Sequence, residues 1–398
     1  MAAYPLLDLH VHPYLPWIGG AWRKLGRGFR PQSFESPPAA VRRGPEASPP
    51  LPSEQGPRYF GAAFYETYLL RPDRARSRLF RALEVFRQRL APPPVDACAL
   101  SHSLHLPRPP RLLLTAADLR AVFPALPDHP EVGRGGRVEE AVTGPDGAAP
   151  EACFMAVESL RFLRDPGDAA LLWDLGVRSL QPIHFFDTRW GGSSREGMLP
   201  ESRTGLTGFG RELLAEMARL GFILDIAHMG RKNAEECLSA YPGPVMCSHT
   251  GLQEVKAGAR NLPGELAREI FRRGGIVGVT CWRHLLGMGL GPDPGTDPGP
   301  ASARLPAMAT PGTSLRQAWT RAYCATVAAF ARLSPLAQTG VAVGSDRGAP
   351  IRAPAWFYSP AHLAEMEACL ALYGWDGDRF RAFLFGNAGD FLMRSLPA

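Results

Sequence analysis

The tightest constraint on this chain is a unit written twice in residues 221–249, GFILDIAHMGRKNAEECLSAYPGPVMCSH. One short apolar run ends on His228, and a second ends on His249. Between them, residues 231–240 read as a helix that Tyr241-Pro242-Gly243-Pro244 stops. A strand, a helix and a second strand make a right-handed crossover, so the two strands lie parallel. Both histidines then stand at the same, C-terminal, edge of the sheet. In barrels built from such units that edge carries the chemistry.

The pattern recurs along the chain. The run before His10 and His12 is apolar except for Asp8, residues 153–157 lead to Glu158, residues 177–183 lead to His184, and residues 341–345 lead to Asp346. Core packing alone gives no reason for a metal-type or acid–base residue to close each run. Strands are expected at 6–12, 59–69, 154–158, 176–184, 222–227, 245–248, 275–282 and 341–346, with 97–104 a further candidate. Between them, helical stripes or capped starts appear at 73–90, 115–122, 166–175, 207–220, 231–240, 262–273 and 314–333, and two more helices, near 361–373 and 378–394, close the chain. The alternation predicts an α/β fold, a (β/α)8 TIM barrel with loop insertions. Residues 1–398 are expected to form one domain, with irregular insertions near 17–57, 92–150 and 287–312.

Composition narrows the function classes. The net charge of +6 comes from scattered arginines, with short clusters at Arg23-Lys24, Arg42-Arg43 and 71–89. No nucleic-acid recognition module accompanies them, so they read as a solvated surface. The seven cysteines form no CxxC pair, and Cys153, Cys247 and Cys281 sit inside apolar runs, where a free thiol packs as a small core residue. That usage predicts a reducing compartment. With no signal-peptide pattern, membrane span or lipid-anchor tail in the sequence, a cytoplasmic location and no membrane or nucleic-acid partner are expected.

Four histidines and a carboxylate at one mouth suit divalent transition metals, zinc first. The expected centre is binuclear, with His10 and His12 on one ion, His228 and His249 on the other, and Glu158 between. Two ions about 3.5–4 Å apart hold a shared hydroxide that is nucleophilic at neutral pH. Asp346 is the candidate proton carrier, and His184 the candidate donor to a developing oxyanion. Other readings stand beside these. Glu158 could cap a helix, Asp346 in GSDRG could form only a turn, and Arg260 in ARNLP could cap its loop. Asp225 either orients a ligand or faces a helix. His102, His105, His129, His284 and His362 read as structural.

In LWDLGVRSLQPIH, GLTGFGRELLAEMARLGFILDIAHMG, PVMCSHTG, ARNLP, GGIVGVT, VAVGSD and FGNAGDFL, the chain resembles the membrane (renal) dipeptidase family of the amidohydrolase superfamily. The resemblance covers most of the chain from about Phe154 onward, plus the His10 motif. It implies a binuclear zinc barrel that hydrolyses dipeptides. It maps Glu158 as the bridging ligand, His228 and His249 as ligands, His184 as oxyanion stabiliser and Asp346 as proton shuttle. It further implies that Arg260 binds the substrate's terminal carboxylate, and it hints at a homodimer. Three features depart from the family pattern. His10-x-His12 stands where the family has His-x-Asp, HFFDTRWGG follows the histidine strand, and Arg347-Gly348 follow Asp346. Three functions follow as expectations. They are a dipeptidase or N-acyl amino acid hydrolase, the same machinery on a lactone or cyclic amide, and a non-catalytic barrel relative.

Overall fold

The computed structural model describes residues 7–11, 59–65, 111–122, 152–197, 199–287, 314–335, 340–346 and 356–398, with Arg76, Leu79, Phe80, Leu83, Glu84 and Arg87 from a further helix. Nine strands are present among them: β1 (Leu7–Val11), β2 (Tyr59–Tyr65), β3 (Arg111–Leu112), β4 (Ala152–Glu158), β5 (Val177–Gln181), β6 (Ile223–Asp225), β7 (Val245–Thr250), β8 (Ile276–Val279) and β9 (Val341–Val343). Every pairing is parallel. β1 pairs β2, β2 pairs β4, and the order then runs through β5, β6, β7, β8 and β9 back to β1. The result is an α/β fold consistent with the expected TIM-type barrel. β3 was not foreseen. It pairs Arg111 and Leu112 with Ala152 and Cys153, and β5 takes over from Met155. The strand candidate at 97–104 and the insertion at 17–57 lie outside the described residues.

Helices follow the strands from β4 onward: α2 (Asp168–Asp174), α3 (Gly208–Leu220), α4 (Arg231–Ala240), α5 (Gly264–Arg272), α6 (Leu315–Leu333) and α7 (Pro360–Ala371), while α1 (Ala116–Val122) precedes β4. Their ends obey local chemistry. The Thr207 hydroxyl accepts from the Gly210 amide, and α3 stops at Gly221 with φ 89°, a conformation glycine tolerates. Ser314 and Gln317 form a reciprocal cap on α6. The last predicted helix is three pieces, α8 (Gly377–Arg381), a π turn over Ala382–Gly386 and α9 (Asn387–Ser395).

Two apolar clusters explain why the mouth is left to polar groups. Leu7, Leu9, Phe154, Ala156, Ile223, Met246, Ile276 and Ala342 form an inner cluster with Phe391 and Leu392 of α9. Their neighbours Cys153, Met155, Val157, Leu224, Cys247, Val277 and Val343 belong to the cluster that faces the helices. This alternation is the period of a strand. α9 covers the N-terminal ends of the strands, where the Asn387 side chain donates to the Val341 carbonyl at 2.8 Å. Apolar material therefore fills one end, and the strand C-termini face the other.

The alternation breaks at two places that matter. Asp8 pairs with Phe60 but Val11 with Ala62, so β1 carries one extra residue. Cys247 pairs with Val277 but Thr250 with Val279, so β7 does too. A bulge re-aims side chains. Here each one places two consecutive residues inward, Leu9 with His10 and Ser248 with His249.

Candidate metal centre

His10, Glu158, His184, His228, His249, Arg260 and Asp346 are all buried and converge at the C-terminal ends of the strands. Glu158 is the last residue of β4, and its Oε1 lies 3.3 Å from His228 Nε2, 3.4 Å from His184 Nε2 and 4.0 Å from His249 Nε2. Its Oε2 lies 3.8 Å from His10 Nε2. His10 Nε2 is also 3.9 Å from Asp346 Oδ1, and the Asp346 amide donates to the His10 carbonyl at 3.0 Å. His228 and Asp346 follow their strands with φ of 66° and 58°. Left-handed backbone at such residues is strained by about 1–3 kcal/mol each and persists where the surroundings enforce it.

The nitrogen not facing the centre is held in three of the histidines. Ser248 Oγ lies 2.8 Å from His249 Nδ1 and 3.2 Å from His10 Nδ1. His228 Nδ1 donates to Glu196 Oε1 at 2.5 Å. Fixing Nδ1 turns Nε2 inward and sets its lone pair, as metal-ligating histidines require. His228 Nε2 and His249 Nε2 are 2.7 Å apart. Two overlapping groups, Glu158–His228–His249 and His10–Asp225–His249, each hold their donor atoms within 4.8 Å of one another. Imidazole nitrogens and carboxylate oxygens in this arrangement fit a divalent transition ion.

Three supporting residues escaped the sequence reading. Gln181 donates to Glu158 Oε1 at 2.8 Å and to the Ile183 carbonyl at 2.9 Å, so it orients the carboxylate at the heart of the cluster. Ser248 is the second, in the β7 bulge. The third is Glu196, in the loop between β5 and α3. Its Oε1 lies 3.1 Å from Arg260 Nε, and Arg260 Nη2 donates to the His249 carbonyl at 3.0 Å and lies 2.8 Å from His228 Nε2. Burial pushes the Glu196 carboxyl up, against the pull of Arg260 and His184. No motif marks Glu196, whereas Gln181 and Ser248 sit on strands with inward parity.

Asp225 shares the inner face of the sheet with Ile223 rather than facing a helix. Its Oδ1 accepts the amides of Ala227 and Ser248, both at 3.0 Å, and so ties the end of β6 to the β7 bulge. Burial pushes its carboxyl up, against those hydrogen bonds. His362 is structural, as expected, lying 3.0 Å from the Thr320 hydroxyl and accepting the Tyr358 amide at 3.0 Å. His12, Arg347, His102, His105 and His129 lie outside the described residues.

Comparison with known proteins places this geometry. Residues 146–328 match the family model described as membrane dipeptidase, peptidase family M19. The family resembled is the membrane dipeptidases. Within the matched stretch are Glu158, His184, His228, His249 and Arg260, while the fold brings in His10 and Asp346 from outside it. Dipeptidase 3 of Mus musculus is 32% identical over 148 residues, and that of Rattus norvegicus 31% over 148 residues. Each match takes in 35% of this chain and spans only 30% of the relative. Among solved structures, a dipeptidase AC described as a family M19 metallopeptidase aligns over 100% of both chains at TM-score 0.64 and 20% identity. A metallopeptidase from Rhodobacter sphaeroides, liganded with a phosphinate mimic of L-Ala-D-Ala, aligns over 99% of this chain and 100% of its own at TM-score 0.56 and 20% identity. The membrane-dipeptidase likeness of these structures extends to the fold.

Proposed function

We propose that this chain is a metal-dependent hydrolase that cleaves the amide bond of small dipeptide-like molecules, on a (β/α)8 barrel. The observation that carries this reading is the cluster of four histidine Nε2 atoms within 4.0 Å of one buried carboxylate, Glu158. Glu158, His228 and His249 would hold one divalent ion, and His10, with His12, would hold a second that shares Glu158; zinc suits the donors. When bound, the ions would supply an activated water and polarise the scissile carbonyl.

The chain's own residues do the rest. His184, beside Glu158, is positioned to donate to the carbonyl oxygen as charge develops there. Asp346, beside His10, would take a proton from the attacking water and return it to the leaving nitrogen. Arg260 at the edge of the cluster would contact the far end of the substrate. A second reading, hydrolysis of an uncharged lactone or cyclic amide, gains support from one contact, the Glu196 carboxylate already beside Arg260. Buried free thiols such as Cys237, which burial pushes up to about 12, favour a reducing compartment, and we place the protein in the cytoplasm. No helix among the described residues is long and apolar enough to cross a membrane.

Elemental analysis of purified protein and of a His12→Ala variant tests the reading. About two equivalents of zinc, falling in the variant, are expected. One equivalent unchanged in the variant would remove His12 and the binuclear centre, and none after metal-replete expression would leave only a binding protein.

A further inference from the structure

We propose that Cys324 and Cys369 form a reversible redox site, a dithiol pair that a hydroperoxide converts to a disulfide joining α6 to α7. The pair lies on two helices of the outer layer, and neither thiol belongs to the metal centre.

α6 and α7 pack side by side. Cys324 is fully buried on α6, and Cys369 is half-buried on α7. The Cys324 thiol donates to the Met366 carbonyl at 3.8 Å. Met366 stands one helical turn before Cys369, and side chains on a helix lean back towards its N-terminus, over the preceding turn. The Cys369 thiol therefore lies over the turn that Cys324 touches, and the two thiols hydrogen-bond to one another. Tyr373, one turn further on, is pushed up by burial and then by Cys369 and Cys324 together, as expected of two sulfur atoms at one point.

The two thiols are unequal in the way this chemistry needs. The hydrogen bond from Cys324 holds the Cys369 thiol below its usual range, against its burial and with help from the Arg321 charge. Burial pushes Cys324 up, so it stays protonated. A thiolate is the form that attacks peroxides, and Cys369 is the member of the pair that solvent reaches. With hydrogen peroxide, the Cys369 sulfur attacks one oxygen, the O–O bond breaks and hydroxide leaves. Cys369 is now a sulfenic acid. The Cys324 sulfur then attacks the Cys369 sulfur, the S–O bond breaks, and the oxygen departs as water. Over both steps two thiols lose two protons and two electrons, and the peroxide is reduced to two waters. Cys237 lacks this poise, since burial pushes it up to about 12, where a thiol is inert.

The test is a peptide map of the full chain, first reduced, then exposed to hydrogen peroxide, blocked with iodoacetamide and digested without reductant. A peptide pair joined through Cys324 and Cys369 is expected, and it should return to free thiols in dithiothreitol. The thermal transition of the oxidised chain should rise by about 5 °C, because the bond restricts the unfolded chain, and should fall back on reduction. In Cys324→Ser the Cys369 sulfenic acid has no thiol to condense with, so Cys369 should gain a dimedone label that the unaltered protein lacks. A Cys369 that stays reduced after peroxide would overturn the inference. So would a bond from either residue to another cysteine, or dimedone on Cys369 of the unaltered protein with Cys324 still a thiol. A Cys324–Cys369 bond that lowers the thermal transition would also overturn it, by showing that the thiols are not placed to be joined. If Cys324→Ser fails to fold, the peptide map and the transition of the unaltered protein decide alone.

Discussion

A single methyl group at Gly278 should damage the candidate site from below. A Cβ built there would stand 1.9 Å from the Ser248 carbonyl oxygen and 3.0 Å from Gly344 Cα, where ordinary contact begins at 3.4 Å. The Ser248 carbonyl would have to retreat by about 1.5 Å, or the strands would have to part; overpacking against backbone costs about 3 kcal/mol, the upper end of the usual range. Ser248 is the bulged residue that lies 2.8 Å from His249 Nδ1 and 3.2 Å from His10 Nδ1. Its retreat should therefore loosen two histidines at once. Gly278→Ala is expected to lose about 3 kcal/mol in urea unfolding of the chelated protein, and to bind less zinc when metal is restored. Gly208→Ala is the control, since nothing lies within 4 Å of a Cβ there. It should be neutral or gain about 0.4–1 kcal/mol. If Gly278→Ala stays within about 1 kcal/mol of the unaltered protein and holds the same zinc, the reasoning that glycine makes room for the bulge is wrong.

Two further outcomes are expected. Asp225→Ala leaves the Ala227 and Ser248 amides buried without an acceptor, a cost of about 2–5 kcal/mol in chelated protein, whereas Asp225→Asn keeps an oxygen there and should cost less. Equal losses in the two variants would show that charge, not hydrogen bonding, is what Asp225 supplies. Burial, with the nearby Arg316 charge, lowers His362 from 6.5 to about 4. The unfolded chain then takes up this proton before the folded protein does. The histidine's contribution is fully present above pH 6.5 and is lost as pH falls to about 4, up to about 3 kcal/mol. Stability curves of the unaltered protein and His362→Gln should converge across that window, and parallel curves would show that His362 does not titrate there.

Much of the fold was legible because parallel strands buried on both sides read as continuous apolar runs. The runs before Glu158, His228 and His249 became β4, β6 and β7. Chain ends of elements were also legible, since Thr207, Gly221 and Ser314 act through local hydrogen bonds and backbone conformation. What sequence could not reveal were the effects of register. An extra residue in β1 or β7 leaves no mark on an apolar pattern, yet it decides that His10 and His249 face inward. β3 is two residues long, below the length at which alternation can be read. Glu196 was invisible for another reason. Its position depends on Asp187, Ser193, Arg195 and Ser202 folding one loop, and none of these spacings is a known pattern.

The circuit of strands meets itself where Asp8 of β1 pairs with Val343 of β9, 335 residues later in the sequence. His10 and Asp346 lie just beyond that seam, joined by a hydrogen bond from one backbone to the other. These two groups are 336 residues apart in sequence. Contacts so distant along the chain bear the largest loop-closure cost and form slowly. His10 and Asp346 can therefore meet only once the strands between them have been synthesised. The candidate centre would therefore be completed late in folding, after the strands that separate its two outermost groups are in place.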